Sequence, residues 1–266
     1  MYALPRRPGS IGQVLDAAVM LFKASFTAVL PFSIVAALLA LAPNIVLLVA
    51  VSANPTQAAA NDLVLGRTGL YWWAFGLALC LSLINYAALI VRAESIARGA
   101  KVTNSAALAI ALKRFFVLLL AVVCFAIVLM LGLLLLLIPG LILLISMIMY
   151  SVAIVLDGKG VTGSLSYSHS LVWGNWWRTS ALLTVGAIVI YVMFLIVDIG
   201  IVLTAQFLAL DPITRLLIMF VSNAFVTLLT TPFFNALMLE IYRDLKLRKE
   251  GGDLEERLNA LGPAAV

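Results

Sequence analysis

The sequence predicts an all-α polytopic membrane protein, a helical bundle with six transmembrane spans and interfacial helices on its cytoplasmic side. Two observations predict this fold. Hydrophobic residues make up 64% of the 266 positions and charged residues only 11%, and the charged residues are grouped between long apolar stretches. A soluble domain carries about 25% charged residues, so this chain has too few polar side chains to cover a water-exposed surface. The excess apolar surface must therefore face lipid.

Five long stretches contain no acidic residue, basic residue or histidine. Crossing a hydrocarbon core takes roughly 20 helical residues, so four of the stretches supply one span each. The stretch 115–156 is about twice that length and contains the turn-forming pair Pro139-Gly140 near its middle, which predicts two spans there. The six predicted spans cover residues 26–51, 70–92, 116–137, 141–156, 179–203 and 216–240.

The predicted spans are helices and not strands of a barrel. Barrel strands alternate apolar and polar residues, whereas these stretches are apolar at nearly every position. A backbone in lipid must satisfy its own hydrogen bonds, which a helix does within one segment.

Lysine and arginine set the orientation of the spans. Fifteen of the 17 basic residues fall on one side of the predicted spans, and only Arg67 and Arg215 fall on the other. This distribution places both termini in the cytoplasm. Residues 1–250 then form a single membrane domain, and 251–266 form a cytoplasmic tail. The net charge of +5 follows from this bias and suits an anionic inner leaflet, so we expect the bilayer, and no nucleic acid, as the partner of the basic side.

The cytoplasmic segments before spans one, three and five share a pattern. Residues 10–26, 103–116 and 162–178 each begin with a hydroxyl residue that can cap a helix and continue amphipathically into a span. Such helices can lie along a membrane surface. The threefold pattern has two explanations, a true internal duplication or a shared topology alone.

Residues typical of catalysis and metal binding are scarce. The one histidine, His169, has serine neighbours that point in other directions on a helix. Cys80 and Cys124 lie within spans and show no metal-binding spacing. Phosphate-binding and zinc-protease motifs do not occur, so we predict no enzymatic activity, no cofactor and no metal.

A few polar residues enter the inner ends of spans two and six and form a candidate site. One explanation is packing, interhelical hydrogen bonding and snorkelling of charged side chains. The other is a polar notch at the inner leaflet, open to a lipid headgroup or a protein partner. The candidate notch residues are Asn85, Arg92, Glu94, Asn235, Glu240 and Arg243.

Three groups of residues together are familiar. They are 7–16 with 21–23, 168–171 with 174–178, and 240–251 with 253–255. With these groups the sequence resembles the bacterial family described as the membrane domain of glycerophosphoryl diester phosphodiesterase, over nearly the whole chain. That resemblance implies a helical fold and a place in the bacterial cytoplasmic (inner) membrane. Some members carry a fused soluble phosphodiesterase barrel with metal-binding carboxylates and histidines, which this sequence lacks, so the resemblance does not imply phosphodiesterase activity.

Three functions remain open at this point. The favoured one is a non-catalytic integral membrane protein that anchors, scaffolds or assists a partner in membrane or lipid-related processes. The alternative is a passive or facilitated transport component for small molecules or lipids, and the third is a lipid enzyme within the membrane. The scarcity of charges at mid-membrane weakens coupled transport, and the missing catalytic residues weaken the enzyme.

The end of the chain predicts a helix that projects into the cytoplasm. Span six continues through good helix formers to Gly251-Gly252, where we expect the helix to break. Asp253 can then cap a second helix that carries Leu254, Leu258 and Leu261 at helical spacing. This apolar stripe either folds back on the protein or the bilayer, or binds a cytoplasmic partner.

The orientation is testable with reporter fusions. A reporter fused after Val266 should report the cytoplasm, and one inserted within 54–66 should report the opposite side, because the basic residues hold both termini inside. A periplasmic signal from the C-terminal fusion would overturn the predicted orientation.

Overall fold

The structure is a computed structural model that describes residues 2–53 and 69–260. Within these ranges the chain is almost entirely helical and contains no strand. The helices are α1 (Ile11–Ala53), α2 (Leu70–Ala97), α3 (Asn104–Leu135), α4 (Leu137–Met147), α5 (Tyr150–Asp157), α6 (Val161–Val172), α7 (Trp176–Phe207) and α8 (Pro212–Ala260).

Six helical segments are long and apolar enough to cross a membrane, which confirms the predicted all-α bundle with six candidate spans. The fourth joins α4 and α5, and the others are parts of single helices. The six segments are Ile11–Val46, Tyr71–Ala97, Asn104–Leu135, Leu137–Asp157, Trp176–Phe207 and Ile213–Lys249.

Helices α1 and α8 form the centre of the bundle, and α2 and α7 pack on its sides. Small residues allow close approach at these contacts. Gly186 of α7 lies directly under the side chain of Leu237, where any side chain on residue 186 would collide with it. Phe22 of α1 meets Phe233 of α8 edge to face, with the ring centres 6.1 Å apart. The two helices are therefore antiparallel neighbours near their charged ends.

Two of the three predicted interfacial segments are continuous with the span that follows. Ser10 caps α1 through a reciprocal pair of bonds with Gln13, at 2.7 and 3.3 Å. Thr103 caps α3 by accepting a hydrogen bond from the amide of Ala106 at 3.2 Å. The third segment differs, because α6 ends at Val172 and a turn with Gly174 at φ 92° precedes α7. Only this segment forms a helix of its own within the described chain.

The turn between α3 and α4 lies at Leu136, three residues before the expected Pro139. Leu136 is extended, at φ −168° and ψ 147°, and Pro139 stands in the first turn of α4. Proline is tolerated there because the first amides of a helix have no partner within the helix. Gly140 packs against α3, and a Cβ atom on it would lie 2.9 Å from the backbone nitrogen of Leu133.

The fourth candidate span is broken between α4 and α5, and a side chain of α6 bridges the break. The hydroxyl of Ser168 accepts a hydrogen bond from the amide of Met149 at 3.1 Å and donates one to the carbonyl of Ser146 at 2.9 Å. Backbone groups freed by a helix break must find partners in an apolar environment. Ser168 supplies both, so the interruption between α4 and α5 is stabilised.

Helix α8 runs unbroken from Pro212 to Ala260, so the predicted break at Gly251-Gly252 is wrong. A glycine within a helix costs about 1 kcal/mol relative to alanine, and good helix formers lie on both sides of the pair. The start of the helix is capped by Asp211, which accepts hydrogen bonds from the amides of Ile213 and Thr214 at 3.0 Å. The predicted apolar stripe ends at Leu261, outside the described residues.

The close contact of α3 and α4 predicts the effect of a single methyl group. Gly140→Ala should lower the free energy of unfolding by about 1–3 kcal/mol, because its Cβ atom would press on the backbone of α3. Gly163→Ala is the matched control, since nothing lies within 4 Å of a Cβ atom on that helical glycine. Thermal unfolding of both variants in detergent measures the difference, and equal midpoints would contradict the close contact.

Candidate functional site

The six residues of the candidate notch separate into two groups in the structure. Glu94, Glu240 and Arg243 meet at one end of the bundle and bond to one another. Asn85 and Arg92 lie on α2 and bond elsewhere. Asn235 is fully buried in α8. The candidate site is therefore a cluster of charges and not a single open notch.

Arg243 lies between two carboxylates from different helices, and we call this group the Arg243 cluster. Its two terminal nitrogens donate to Glu94 of α2 and to Glu240 of α8. The side chains of all three residues are at most 12% exposed. Arg98 donates to the other oxygen of Glu94 at 2.5 Å. Two arginines face two carboxylates, so the cluster is close to electrically neutral.

Tyr2 completes the Arg243 cluster from the N-terminal segment. Its hydroxyl donates to Glu240 at 2.5 Å and accepts from Arg243 at 2.6 Å. Burial raises the pKa of the Tyr2 hydroxyl well above its ordinary value, so the hydroxyl keeps the proton that it donates. The sequence analysis missed Tyr2, because one tyrosine before the first helix belongs to no periodic pattern.

A second group of bonds surrounds Asp244, and we call it the Asp244 cluster. The amide of Gly9 donates to one carboxylate oxygen at 2.8 Å. Arg178 and Arg248 both donate to the other oxygen at 3.0 Å. The same two arginines also donate to the carbonyl of Gly9, at 2.6 and 2.7 Å. Asp244 thus binds the N-terminal segment to α7 and α8.

A third contact ties α5 to α8. The hydroxyl of Tyr242 donates to Asp157 at 2.6 Å, and the ammonium group of Lys246 lies 3.2 Å from both oxygens of that carboxylate. The Arg243 cluster, the Asp244 cluster and this contact lie on consecutive residues of α8. Together they define what we call the charged end of the bundle.

The charged end brings together residues from all three groups that carry the family resemblance. Gly9 comes from the first group, Arg178 from the second and Asp244 from the third. These residues are far apart in the sequence, so their bonding is tertiary information that no local pattern contains. The motifs of the resemblance are thus the parts of one structural junction.

Arg92 and Asn85 have structural partners away from the charged end. Arg92 donates to the side chain of Asn104 at 2.9 Å and to the carbonyl of Val102 at 2.6 Å, which fixes the connection from α2 to α3. Asn85 donates to the carbonyl of Phe32 at 2.9 Å and joins α2 to α1 within the bundle. Both bonds match the packing explanation of these residues.

Asn235 is the exception among the candidate residues. It is 0% exposed, and neither its amide nitrogen nor its amide oxygen has a hydrogen-bond partner among the described residues. Such a group costs about 1–3 kcal/mol when it is left unpaired. Asp198 and Asn223 each have one buried side-chain oxygen in the same condition. The described part of the bundle therefore contains buried unpaired polar atoms on α7 and α8, besides those of Ser146 on α4 and His169 on α6.

The Nδ1 atom of His169 is buried and has no hydrogen-bond partner among the described residues. Its ring lies 5.1 Å from that of Trp173, between the ring centres. The hydroxyls of Ser168 and Ser170 donate to backbone carbonyls, those of Ser146 and Tyr167. Among the described residues, no group of three histidine, cysteine or acidic side chains is placed to hold a metal ion.

The comparisons with known proteins identify a family but no activity. A family profile described as a domain of unknown function (DUF7847) matches residues 8–245. No curated protein and no solved structure matches the chain. The matched residues include the partners of both clusters except Tyr2 and Arg248. The resemblance to the phosphodiesterase membrane domain stays a prediction.

The Arg243 cluster predicts a strong effect of removing its central charge. Arg243→Gln should lower the free energy of unfolding by about 3–5 kcal/mol, because it removes the counter-charge of the buried Glu240 and leaves Glu94 with the exposed Arg98. Arg98→Gln should cost less than about 1 kcal/mol, because the Arg98 side chain is 66% exposed. Thermal unfolding in detergent compares the two variants, and similar losses would show that Arg243 is not the central charge.

Proposed function

Since the chain belongs to the family described as a domain of unknown function (DUF7847), we propose from its own structure that it is a non-catalytic membrane scaffold. It lies in the bacterial cytoplasmic membrane with both termini inside, and it anchors or assists a cytoplasmic partner in a membrane-related or lipid-related process. The proposed orientation rests on the 15 basic residues of one side. Several of them, among them Arg178, Arg243 and Arg248, meet at the charged end.

The observation that carries this proposal is the closure of the charged end by mutual pairing. Glu94 and Glu240 are paired with Arg98 and Arg243, and Asp244 is paired with Arg178 and Arg248. A coupled transporter uses buried charges that bind and release an ion. Charges that bind one another are suited to rigidity instead. The charged end therefore supports a fixed platform.

The projecting part of α8 gives this platform a surface for a partner. The helix continues for 11 residues beyond Lys249 to Ala260, which is about 16 Å at ~1.5 Å per residue. The Asp244 cluster and the bond from Lys249 to the carbonyl of Ser170, at 3.0 Å, fix its base. A helix that is rigid at its base can present a partner at a constant distance from the membrane.

The alternative function, a passive or facilitated path for small polar solutes, has one observation in its favour. The unpaired amide of Asn235 and the unpaired oxygens of Asp198 and Asn223 are buried in the bundle. Polar atoms of this kind can be satisfied by water or by a polar solute within a membrane protein. A solute path would use these residues, whereas a scaffold has no need of them.

Site-specific photo-cross-linking tests the scaffold. A photoreactive residue at Gly251, which is exposed beyond the charged end, should give a discrete adduct with one cytoplasmic protein in cells. The same residue at Leu208, between α7 and α8 and 57% exposed, is the control and should not give that adduct. Arg243→Gln should weaken the adduct at Gly251, because it loosens the platform.

A measurement of solute flux distinguishes the transport path from the scaffold. Proteoliposomes should take up small polar solutes such as glycerol no faster than protein-free liposomes do. Uptake that is clearly faster, and that Asn235→Leu abolishes without loss of folding, would favour the transport path. Such uptake without any adduct at Gly251 would overturn the scaffold.

A further inference from the structure

The length of helix α7 gives a measure of how deep in the membrane the neighbouring segments lie. Its 32 residues extend about 48 Å at ~1.5 Å per residue, which exceeds the roughly 30 Å of a hydrocarbon core. The helix begins at the charged end, where Arg178 bonds to Asp244. It ends at Phe207, which is 90% exposed and leads into the turn at Leu208. A helix with one end in the charged layer and this length reaches the opposite face.

The turn of the α3–α4 hairpin lies beside the beginning of α7. The indole nitrogen of Trp176, the first residue of α7, donates to the carbonyl of Ile142 in α4 at 3.3 Å. Ile138 and Ile142 also line one cleft of about 650 Å³ together with residues 173–178. Ile138 is two residues from the turn at Leu136. This turn is therefore close to the charged end, and the turn at Leu208 is at the far end of α7.

These positions conflict with a full crossing by the hairpin. If α3 and α4–α5 both crossed the membrane, the turns at Leu136 and Leu208 would lie at the same face. The structure separates them by most of the length of α7. The basic residues do not distinguish the two arrangements, because Arg114 and Lys159 flank the hairpin on one side in either case. The length and apolarity of the hairpin helices do not distinguish the two arrangements either.

The helix is interrupted between α4 and α5 at Ile148 and Met149, whose backbone angles stay in the right-handed helical region. The core of α5 is buried, with Val152, Ala153 and Ile154 fully enclosed, and Asp157 at its end bonds to Tyr242. Helix α4 precedes the interruption that Ser168 bridges. Its Ile142 meets Trp176 of α7, and α3 accompanies α4 through the contact at Gly140.

The tip of the hairpin is apolar and uncovered by the described protein. Five consecutive residues there are between 67% and 86% exposed. Burying such side chains in an apolar medium gains about 1.5–3 kcal/mol for each one, so water is excluded as their surroundings. Because these residues lie near the charged end, the apolar medium around them is the half of the bilayer next to that end. These residues are Leu134, Leu135, Leu136, Leu137 and Ile138.

We infer that the α3–α4 hairpin is a re-entrant element whose partner is the hydrocarbon of the cytoplasmic leaflet, and that α1, α2, α7 and α8 alone cross the membrane. A helix is about 10–12 Å wide and fits within one leaflet of a core roughly 30 Å thick. The hairpin enters and leaves on the cytoplasmic side, so it adds protein volume to that leaflet and none to the other. It acts as a one-sided wedge beside the bundle.

A fluorescent label at the turn tests this inference. In a background with Cys80 and Cys124 changed to Ala, single cysteines at Leu136 and Leu208 carry the dithionite-sensitive dye NBD. Dithionite does not cross the membrane. It should bleach the dye at Leu208 in intact spheroplasts and spare the dye at Leu136. In inverted vesicles the dye at Leu208 should be spared. The dye at Leu136 should bleach more slowly than a label in water, because the turn lies within the leaflet that then faces the dithionite. A Gly251→Cys label, bleached only in inverted vesicles, controls for sidedness.

Two results would overturn the inference. Bleaching at Leu136 in intact spheroplasts as fast as at Leu208 would show that the hairpin crosses the membrane. Efficient cross-linking between two copies through a single cysteine at Leu134 would show that the tip is covered by protein and not by lipid. Bleaching at Leu136 in inverted vesicles alone, with no cross-linked dimer, would support the re-entrant hairpin.

Discussion

The pairing of buried charges at one end of the bundle is the constraint on which the rest of the structure depends. A carboxylate or guanidinium group taken out of water costs several kcal/mol unless it is paired and hydrogen-bonded. Glu240 and Asp244 are at most 4% exposed, so each requires partners from other elements. Arg243, Arg178 and the N-terminal segment supply them. Their pairing fixes α1, α2, α7 and α8 relative to one another.

Away from the charged end, packing and not charge pairing holds the helices of the bundle together. Contacts between small residues and large ones, such as Gly186 with Leu237, replace the hydrophobic effect that is absent between helices in lipid. Some polar atoms within the bundle are bonded to carbonyls, as Asn85 is to Phe32, and others have no partner among the described residues, as in Asn235. The charged end, with its polar groups paired, is therefore the rigid part of the molecule. The region around Asn235 has buried polar atoms that could still accept or donate hydrogen bonds.

The sequence predicted the helices well because their signals are local. Apolar stretches, capping residues and Pro139-Gly140 indicate spans and a turn from a few neighbouring residues. The break at Gly251-Gly252 was wrong because the helix formers around a glycine pair outweigh its modest cost. The sequence also placed Glu94, Glu240 and Arg243 at one depth, and the structure brings these three together. It could not find Tyr2, or Gly9 and Arg178 as partners of Asp244, because each lies more than 60 positions from its partner in the sequence.

The structure divides the residues of the predicted notch between two groups. Shared depth placed Asn85 and Arg92 with the charges, but depth does not tell which face of a helix a residue occupies. Asn85 faces α1, and Arg92 faces the connection to α3. The sidedness of charge likewise could not reveal how far the α3–α4 hairpin reaches, because a crossing hairpin and a re-entrant one leave the basic residues on the same side.

The account depends most directly on the N-terminal segment being held in place by Asp244. Amide hydrogen exchange at Gly9 measures this, because its N–H donates to that carboxylate and lies before the first helix. The account predicts slow exchange at Gly9 in the wild type and fast exchange in Asp244→Asn, with the amides within α7 unchanged. Fast exchange at Gly9 in the wild type would contradict a closed charged end.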